Sequence, residues 1–181
     1  MQRITAVTHP ERKAKEILDT VRKAMGATPN IFTTFANAPA ALEAYVNFMS
    51  ALSHGALDPK LREQLAVTVA GFNGCNYCAS AHVFLGAKAG VDKAELLANI
   101  NGKSSDSKIQ AAIDFARALM EQRGKVSDAD LEAVRVAGFN DEEVVEILAH
   151  VALNTFTNYF NETALTEIDF PVVNINAVKT V

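Results

Sequence analysis

Apolar residues recur along this chain at helical spacing, in stretches separated by clear stops. Pro10 opens the first stretch, PERKAKEILDTVRKAMG, and Gly26 ends it. TPNIFTTFANAP reads as a loop with one helical turn, and PAALEAYVNFMSALSHG as a helix stopped by Gly55. Asp58 before Pro59 starts PKLREQLAVTVAGF, because the Asp oxygen accepts from N–H groups that a first helical turn leaves unpaired. After Asn73-Gly74 the chain turns into CNYCASAHVFLGAKAG, ended by Gly90. Asp92 with Glu95 has the spacing of a capping box for KAELLANI. SSDS opens KIQAAIDFARALMEQRG, and Ser127 and Asn140 cap DADLEAVRVAG and the long DEEVVEILAHVALNTFTNYFNETA. The pattern predicts about eight helices and no strand, hence an all-α fold.

The last stretch, residues 168–181, has no helical pattern and contains Pro171, so it reads as an extended tail for a neighbouring copy to cover. There is also an internal echo at an offset of 82 residues: Leu57-Asp58 against Phe139-Asn140, LAV against ILA, and Asn76-Tyr77 against Asn158-Tyr159. It implies two related helical hairpins, with the core motif in 57–91 and a second repeat in 139–163. The whole of 1–181 is expected to form one domain, since 181 residues bury enough surface to fold without staples.

Composition narrows the function classes. Hydrophobic residues make up 49% and charged residues 21%, the balance of a water-soluble globular protein. A net charge of −4 and no basic cluster argue against nucleic acid as a partner. No apolar run approaches the ~20 residues of a membrane span, and the N-terminus has no secretory pattern, so the expected compartment is the cytoplasm. Thiols are held reduced there. Two cysteines at C-x-x-C spacing in that setting point to redox or metal chemistry rather than to a structural disulfide.

The cysteines are Cys75 and Cys78, with His82 four residues after the second and Glu63 twelve before the first. On a helix, Cys78 and His82 share one face, and Cys75 lies one turn earlier on the same side. A free thiol is only about 3% ionised at pH 7, and making it mostly thiolate takes roughly 2.7 kcal/mol of anion stabilisation. A helix N-terminus contributes about 0.3–1 kcal/mol of that, so a nearby base must supply the remainder, and His82 is placed to do so. Glu63 lies on the preceding helix, which turns back tightly through Phe72-Asn73-Gly74. Its carboxylate is therefore expected beside His82, completing a nucleophile–base–orienter set. Two other readings use the same residues. Buried cysteines pack as small hydrophobes, and C-x-x-C-x-x-x-H with Glu63 could ligate zinc, although structural zinc usually draws on a second Cys or His pair. Of the other histidines, His9 and His54 read as loop and helix-end residues and His150 as a core or interface residue.

The pattern E-x11-C-x-x-C-x-x-x-H, with its Gly-Cys entry and Ala-Gly exit, resembles the AhpD-like alkylhydroperoxidases of the carboxymuconolactone decarboxylase superfamily. The close resemblance covers 57–91, while PNIFTTFANAP and NYFNETALTEIDFP are similar to the peroxidase-related branch. The resemblance implies an all-helical, homo-oligomeric protein, a trimer or hexamer. It also implies that Cys78 attacks a hydroperoxide, that Cys75 resolves the product to a disulfide, and that His82 and Glu63 relay the proton. No cofactor is implied; the partner is an external dithiol, of the lipoyl-bearing kind in AhpD itself. One departure stands out: where the best-known members have a second relay histidine between the cysteines, this chain has Tyr77, a poor base at neutral pH. Thiol–disulfide exchange without peroxide therefore stays open beside peroxide reduction, as does a zinc-stabilised binding module. The decarboxylase branch lacks the cysteine pair, so lactone decarboxylation is not implied.

Overall fold

The computed structural model describes residues 1–179 and contains ten helices and no strand among them. In chain order these are α1 (Arg12–Met25), α2 (Asn30–Phe35), α3 (Pro39–Leu52), α4 (Pro59–Asn73) and α5 (Asn76–Lys88). They continue as α6 (Lys93–Ile100), α7 (Ser107–Glu121), α8 (Asp128–Val136), α9 (Asp141–Ala164) and α10 (Ile175–Lys179). The fold is all-α, as the periodicity predicts. The two helices beyond the expected count are the short α2, where one turn was expected, and α10, inside the stretch expected to be extended. Residues 180 and 181 of that stretch lie outside the described residues.

The molecule is organised around α4. This helix packs against α5, α6, α7 and α9, and Leu65, Val67, Val69 and Ala70 have no exposed surface. A helix apolar on nearly every side must be enclosed by others. One side of it, with Val67 and Ala70, joins a core built from Leu18, Phe32, Phe35, Leu42, Val83 and Ile175. The other, with Leu61, Leu65 and Val69, joins Phe115, Leu119, Val134 and Ile147 of α7, α8 and α9, and Phe139 of the turn between α8 and α9.

Most helix starts follow the sequence pattern, although α1 begins at Arg12, two residues after Pro10. Asp58 accepts from the Lys60 N–H at 2.8 Å, and Asp106 accepts from Lys108 and Ile109. Ser127 with Asp130, and Asn140 with Glu143, close full capping boxes. Side-chain caps of this kind each contribute about 1 kcal/mol. Asp92 caps α6 through the Ala94 N–H, but Glu95 does not complete the box. Its carboxylate turns instead to the Ser104 and Ser105 hydroxyls and the Asn99 amide, which offer more donors than one backbone N–H.

The two stretches related by 82 residues lie against each other as α4 and α9. Gly74, at φ 77°, breaks α4 in a left-handed conformation that an L residue adopts only with strain. The equivalent position in α9 is Phe156, and that helix runs on unbroken to Ala164.

The tail covers its own chain. Asp169 accepts from the Asn30 N–H at the start of α2 and from the Tyr77 hydroxyl on α5, both at 2.8 Å. Further on, the Val173 N–H donates to the Ser80 hydroxyl and the Ile175 N–H to the Asn76 side-chain oxygen. Val173 and Ile175 are buried in the first core. The segment is thus a strap across α5: Ile168, Phe170, Val173 and Ile175 pack within the chain, while Val172 stays exposed.

Gly71 sets how closely α4 approaches α6, because a methyl group there would collide with the Ile100 carbonyl oxygen. Backbone cannot yield as a flexible side chain does, so Gly71→Ala is expected to cost about 1–3 kcal/mol. Urea denaturation monitored by far-UV circular dichroism would measure it.

Candidate active site

Cys75 is the N-cap residue of α5 rather than part of the helix, and its sulfur accepts from the Cys78 N–H at 3.3 Å. That geometry swings its side chain over the first turn, so the two thiol sulfurs stand 2.6 Å apart. They are not equivalent. Cys75 is fully buried, whereas Cys78, 3% exposed, lines a cavity of about 290 Å³ between α3, α4, α5 and α9.

His82 is one turn beyond Cys78, and its Nδ1 lies 2.8 Å from Glu63 Oε2. A carboxylate accepts only from a protonated ring nitrogen, so Glu63 holds the proton on Nδ1 and leaves Nε2 for exchange. The two side chains are each 24% exposed, at the edge of the cavity they help to line. Gly86, one turn beyond His82, lets the helices come this close: a methyl group there would press on Glu63 Cβ at 3.3 Å and on the Leu96 side chain. All four predicted residues, Glu63, Cys75, Cys78 and His82, are therefore gathered in one place.

The electrostatics separate the two thiols. Burial pushes Cys78 up, but hydrogen bonds from Cys75 and Asn161, the charge on His82 and the Asn158 amide outweigh it, and the net shift is down. Cys75 moves far up, first through its hydrogen bond to Cys78 and then through burial. Of the two, Cys78 is accordingly the thiol that ionises more readily, with Cys75 as the S–H that faces it. For His82, burial pulls down while the charge and hydrogen bond of Glu63 and the charge of Cys78 push up, and the net shift is up. The two shifts run in the directions that let a thiolate on Cys78 and an imidazolium on His82 stabilise each other.

Tyr77 takes no part in this relay. Its hydroxyl donates to Asp169 and accepts from the Ile31 N–H, and burial pushes its ionisation up, so it stays a neutral phenol. The residue in the relay histidine's place thus ties α5 to α2 and the strap. Nor do three His, Cys, Asp or Glu side chains converge to hold a metal among the described residues.

Most of the cavity wall is apolar: Phe32, Met49, Ala66, Leu85, Leu153 and Phe170 are representative. Against it stands a polar stripe on α9 that the sequence reading missed. His150, Asn154, Thr157 and Asn161 all line the cavity, and none is more than 6% exposed. Asn154 and Thr157 bond backbone carbonyls of their own helix, whereas Asn161 donates to Cys78 Sγ at 3.2 Å. The signal was in the register. Val144, Ile147 and Val151 mark the inward face of α9, and Asn154, Asn158 and Asn161 continue it where an amphipathic helix would place apolar side chains.

Residues 39–122, which include α3 to α6, match the carboxymuconolactone decarboxylase family. That match covers a little under half of the chain. Among solved structures it is similar to a peroxidase-related protein from Silicibacter sp. TM1040, with a TM-score of 0.79 and 21% identity over 91% of this chain and 88% of that one. It is also similar to a peroxidase-related protein with an alkylhydroperoxidase AhpD core from Ralstonia eutropha JMP134, with a TM-score of 0.78 and 26% identity over 91% of this chain and 92% of the other. The debrominase Bmp8, in complex with 2,3,4-tribromopyrrole, shares the fold with a TM-score of 0.78 at 17% identity over 98% and 95% of the two chains. No curated protein sequence matches this chain. No helix among its described residues is long and apolar enough to cross a membrane.

His150 offers a test of the site's electrostatics. Burial and then the Arg62 charge pull it down to about 4, against the opposing pull of Glu146 and Glu63. The unfolded chain's imidazole takes its proton near pH 6.5, so between the two values the unfolded state binds more protons and stability falls as pH falls. Replacement by Leu should remove about 3 kcal/mol of stability loss between pH 7 and pH 4, measured by urea denaturation at the two pH values.

Glu63→Gln should keep the fold but weaken the imidazolium. The pH midpoint for alkylation of Cys78 by iodoacetamide is then expected to rise by about one unit. A midpoint that moves in His82→Gln but not in Glu63→Gln would leave the carboxylate a purely structural role.

Proposed function

We propose that this protein is a thiol-dependent peroxidase that reduces organic hydroperoxides, with Cys78 as the attacking thiol and Cys75 as the resolving one. The observation that carries the reading is the asymmetry of the pair: Cys78 opens on an apolar cavity beside His82 and Glu63, while Cys75 is sealed behind it. A nucleophile must meet its substrate, and a resolving thiol need only meet the nucleophile.

The steps balance with these groups. The Cys78 thiolate attacks the terminal oxygen of the hydroperoxide, the O–O bond breaks, and the leaving alkoxide takes the proton that His82 holds on Nε2. The products are an alcohol and a sulfenic acid on Cys78. Cys75 then attacks that sulfur; its thiol proton and the departing hydroxyl leave together as water, and the disulfide closes. The two sulfurs are 2.6 Å apart as thiols, against about 2.05 Å in a disulfide, so little movement is needed.

The apolar wall favours alkyl or aryl hydroperoxides over hydrogen peroxide, and about 290 Å³ has room for several carbon atoms. The reductant is an external dithiol, which restores the pair by exchange. With Cys78 only 3% exposed, it must be slim enough to enter the cavity, as a dithiol on a lipoyl arm is and a thiol on a folded protein's surface is not. The reducing cytoplasm is the compartment that suits such a cycle.

A homo-oligomer, with trimer or hexamer the expected order, belongs to the same proposal. The outer face of α9 leaves Val145, Leu148, Phe156 and Tyr159 exposed at helical spacing, and that face rather than the strap supports self-association.

With cumene hydroperoxide and dihydrolipoamide, Cys78→Ser should lose all turnover. Cys75→Ser should be oxidised once, to a sulfenic acid trapped by dimedone and seen by mass spectrometry, and then stall. Equal single-turnover oxidation of Cys75 in Cys78→Ser would reverse the two roles.

A further inference from the structure

We propose that Asn161 is a catalytic residue that binds both the thiolate and the oxygen it captures. This deepens the peroxidase reading above and rests on Cys78 being the attacking thiol. Asn161 is 2% exposed, lines the cavity, and its Nδ2 donates to Cys78 Sγ at 3.2 Å. Its Oδ1 is buried with no hydrogen-bond partner. A buried amide oxygen left unpaired costs about 1–3 kcal/mol, so a partner that arrives with the substrate recovers that penalty.

The neighbouring amide supports this arrangement. Asn158, with no exposed surface, accepts from the Asn73 side chain through its own Oδ1 at 3.0 Å. Its Nδ2 is left without a conventional partner and pulls the Cys78 ionisation down. Two amides of α9 thus present N–H groups toward one sulfur, and Asn161 adds an acceptor beside it.

The chemistry gives that acceptor a continuous role. In ROOH the terminal oxygen carries the hydrogen, and when the thiolate captures this oxygen the O–H bond survives. Reactant, transition state and Cys78 sulfenic acid therefore all present an O–H beside the sulfur. A single acceptor can hold it throughout, aligning the O–O bond with Sγ, while His82 protonates the departing alkoxide. When Cys75 closes the disulfide, the hydroxyl departs as water and Oδ1 is vacated for the next turnover.

Two variants separate the donor from the acceptor. Asn161→Ala removes both, and Asn161→Asp keeps the shape and an acceptor oxygen while losing the donor and adding charge. The alkylation midpoint of Cys78 with iodoacetamide is expected to rise by about one unit in Asn161→Ala, and by more in Asn161→Asp. At a pH where alkylation has reached its plateau in wild type and Asn161→Ala alike, the thiolate is fully formed in both. There kcat/KM for cumene hydroperoxide should still be lower by about tenfold in Asn161→Ala, because the acceptor is missing. An unmoved alkylation midpoint in both variants overturns the donor role, and equal kcat/KM at the plateau overturns the acceptor role. Alkylation needs no peroxide. Failure of the wild type to turn over cumene hydroperoxide would therefore remove the peroxidase reading and the acceptor role together, with the donor role still decided by the alkylation midpoint.

Discussion

Easing the ionisation of a sulfur buried beside an apolar cavity is the constraint on which the rest of this structure depends. Burial alone would drive Cys78 toward the neutral thiol, and the contacts that oppose this come from its own helical segment and from α9. Cys75 supplies an S–H from the N-cap of the same helix, His82 a positive charge one turn later, and α9 the amides of Asn161 and Asn158. Glu63, from α4, raises the proton affinity of His82. None of these is worth much on the surface, where water screens charges and competes for hydrogen bonds. Around sulfurs as buried as these the same contacts weigh far more in which one ionises.

Assembling them requires three helices at close range, and small residues make that possible. Gly74 ends α4 in a left-handed turn that sends α5 back along it, and Gly86 lets the two helices approach until Glu63 meets His82. Gly71 seats α6 on the other flank by the same means. The enclosed position of α4 follows, because a helix this apolar is stable only when surrounded. The cavity is what the surrounding aromatic residues leave open: Phe35 stacks on Phe160 with centroids 3.6 Å apart, and Phe32 and Phe35 both pack on Tyr45.

Tyr77 shows how one residue changes the division of labour in such a site. A histidine at this position would add a base near the thiols. The tyrosine instead anchors Asp169 and α2, bringing the strap and Phe170 against the cavity. In the proposed cycle proton transfer rests on His82 and Glu63, with α9 supplying neutral dipoles where a second imidazole would have brought charge.

The helices could be read from the sequence because their causes are local. Apolar spacing of three and four, Asp58, Ser127 and Asn140 at N-caps, and Gly26 and Gly74 at ends act within one or two turns. The grouping of Cys75, Cys78 and His82 was legible for the same reason, since they share one helical segment, and Glu63 followed from the short turn between α4 and α5. The strap was misjudged because its partners, Asn30, Asn76, Tyr77 and Ser80, are 92 to 139 residues away in sequence. The Asp92–Glu95 box failed for a related reason: the spacing was right, but Ser104 and Ser105 outbid the backbone for the carboxylate. Asn158 and Asn161 lie about 80 residues from Cys78, and periodicity alone reports only that they are polar residues on an apolar register. Which face an element buries is written in its own residues. Which side chain it meets there depends on how distant helices pack, and only the tertiary structure decides that.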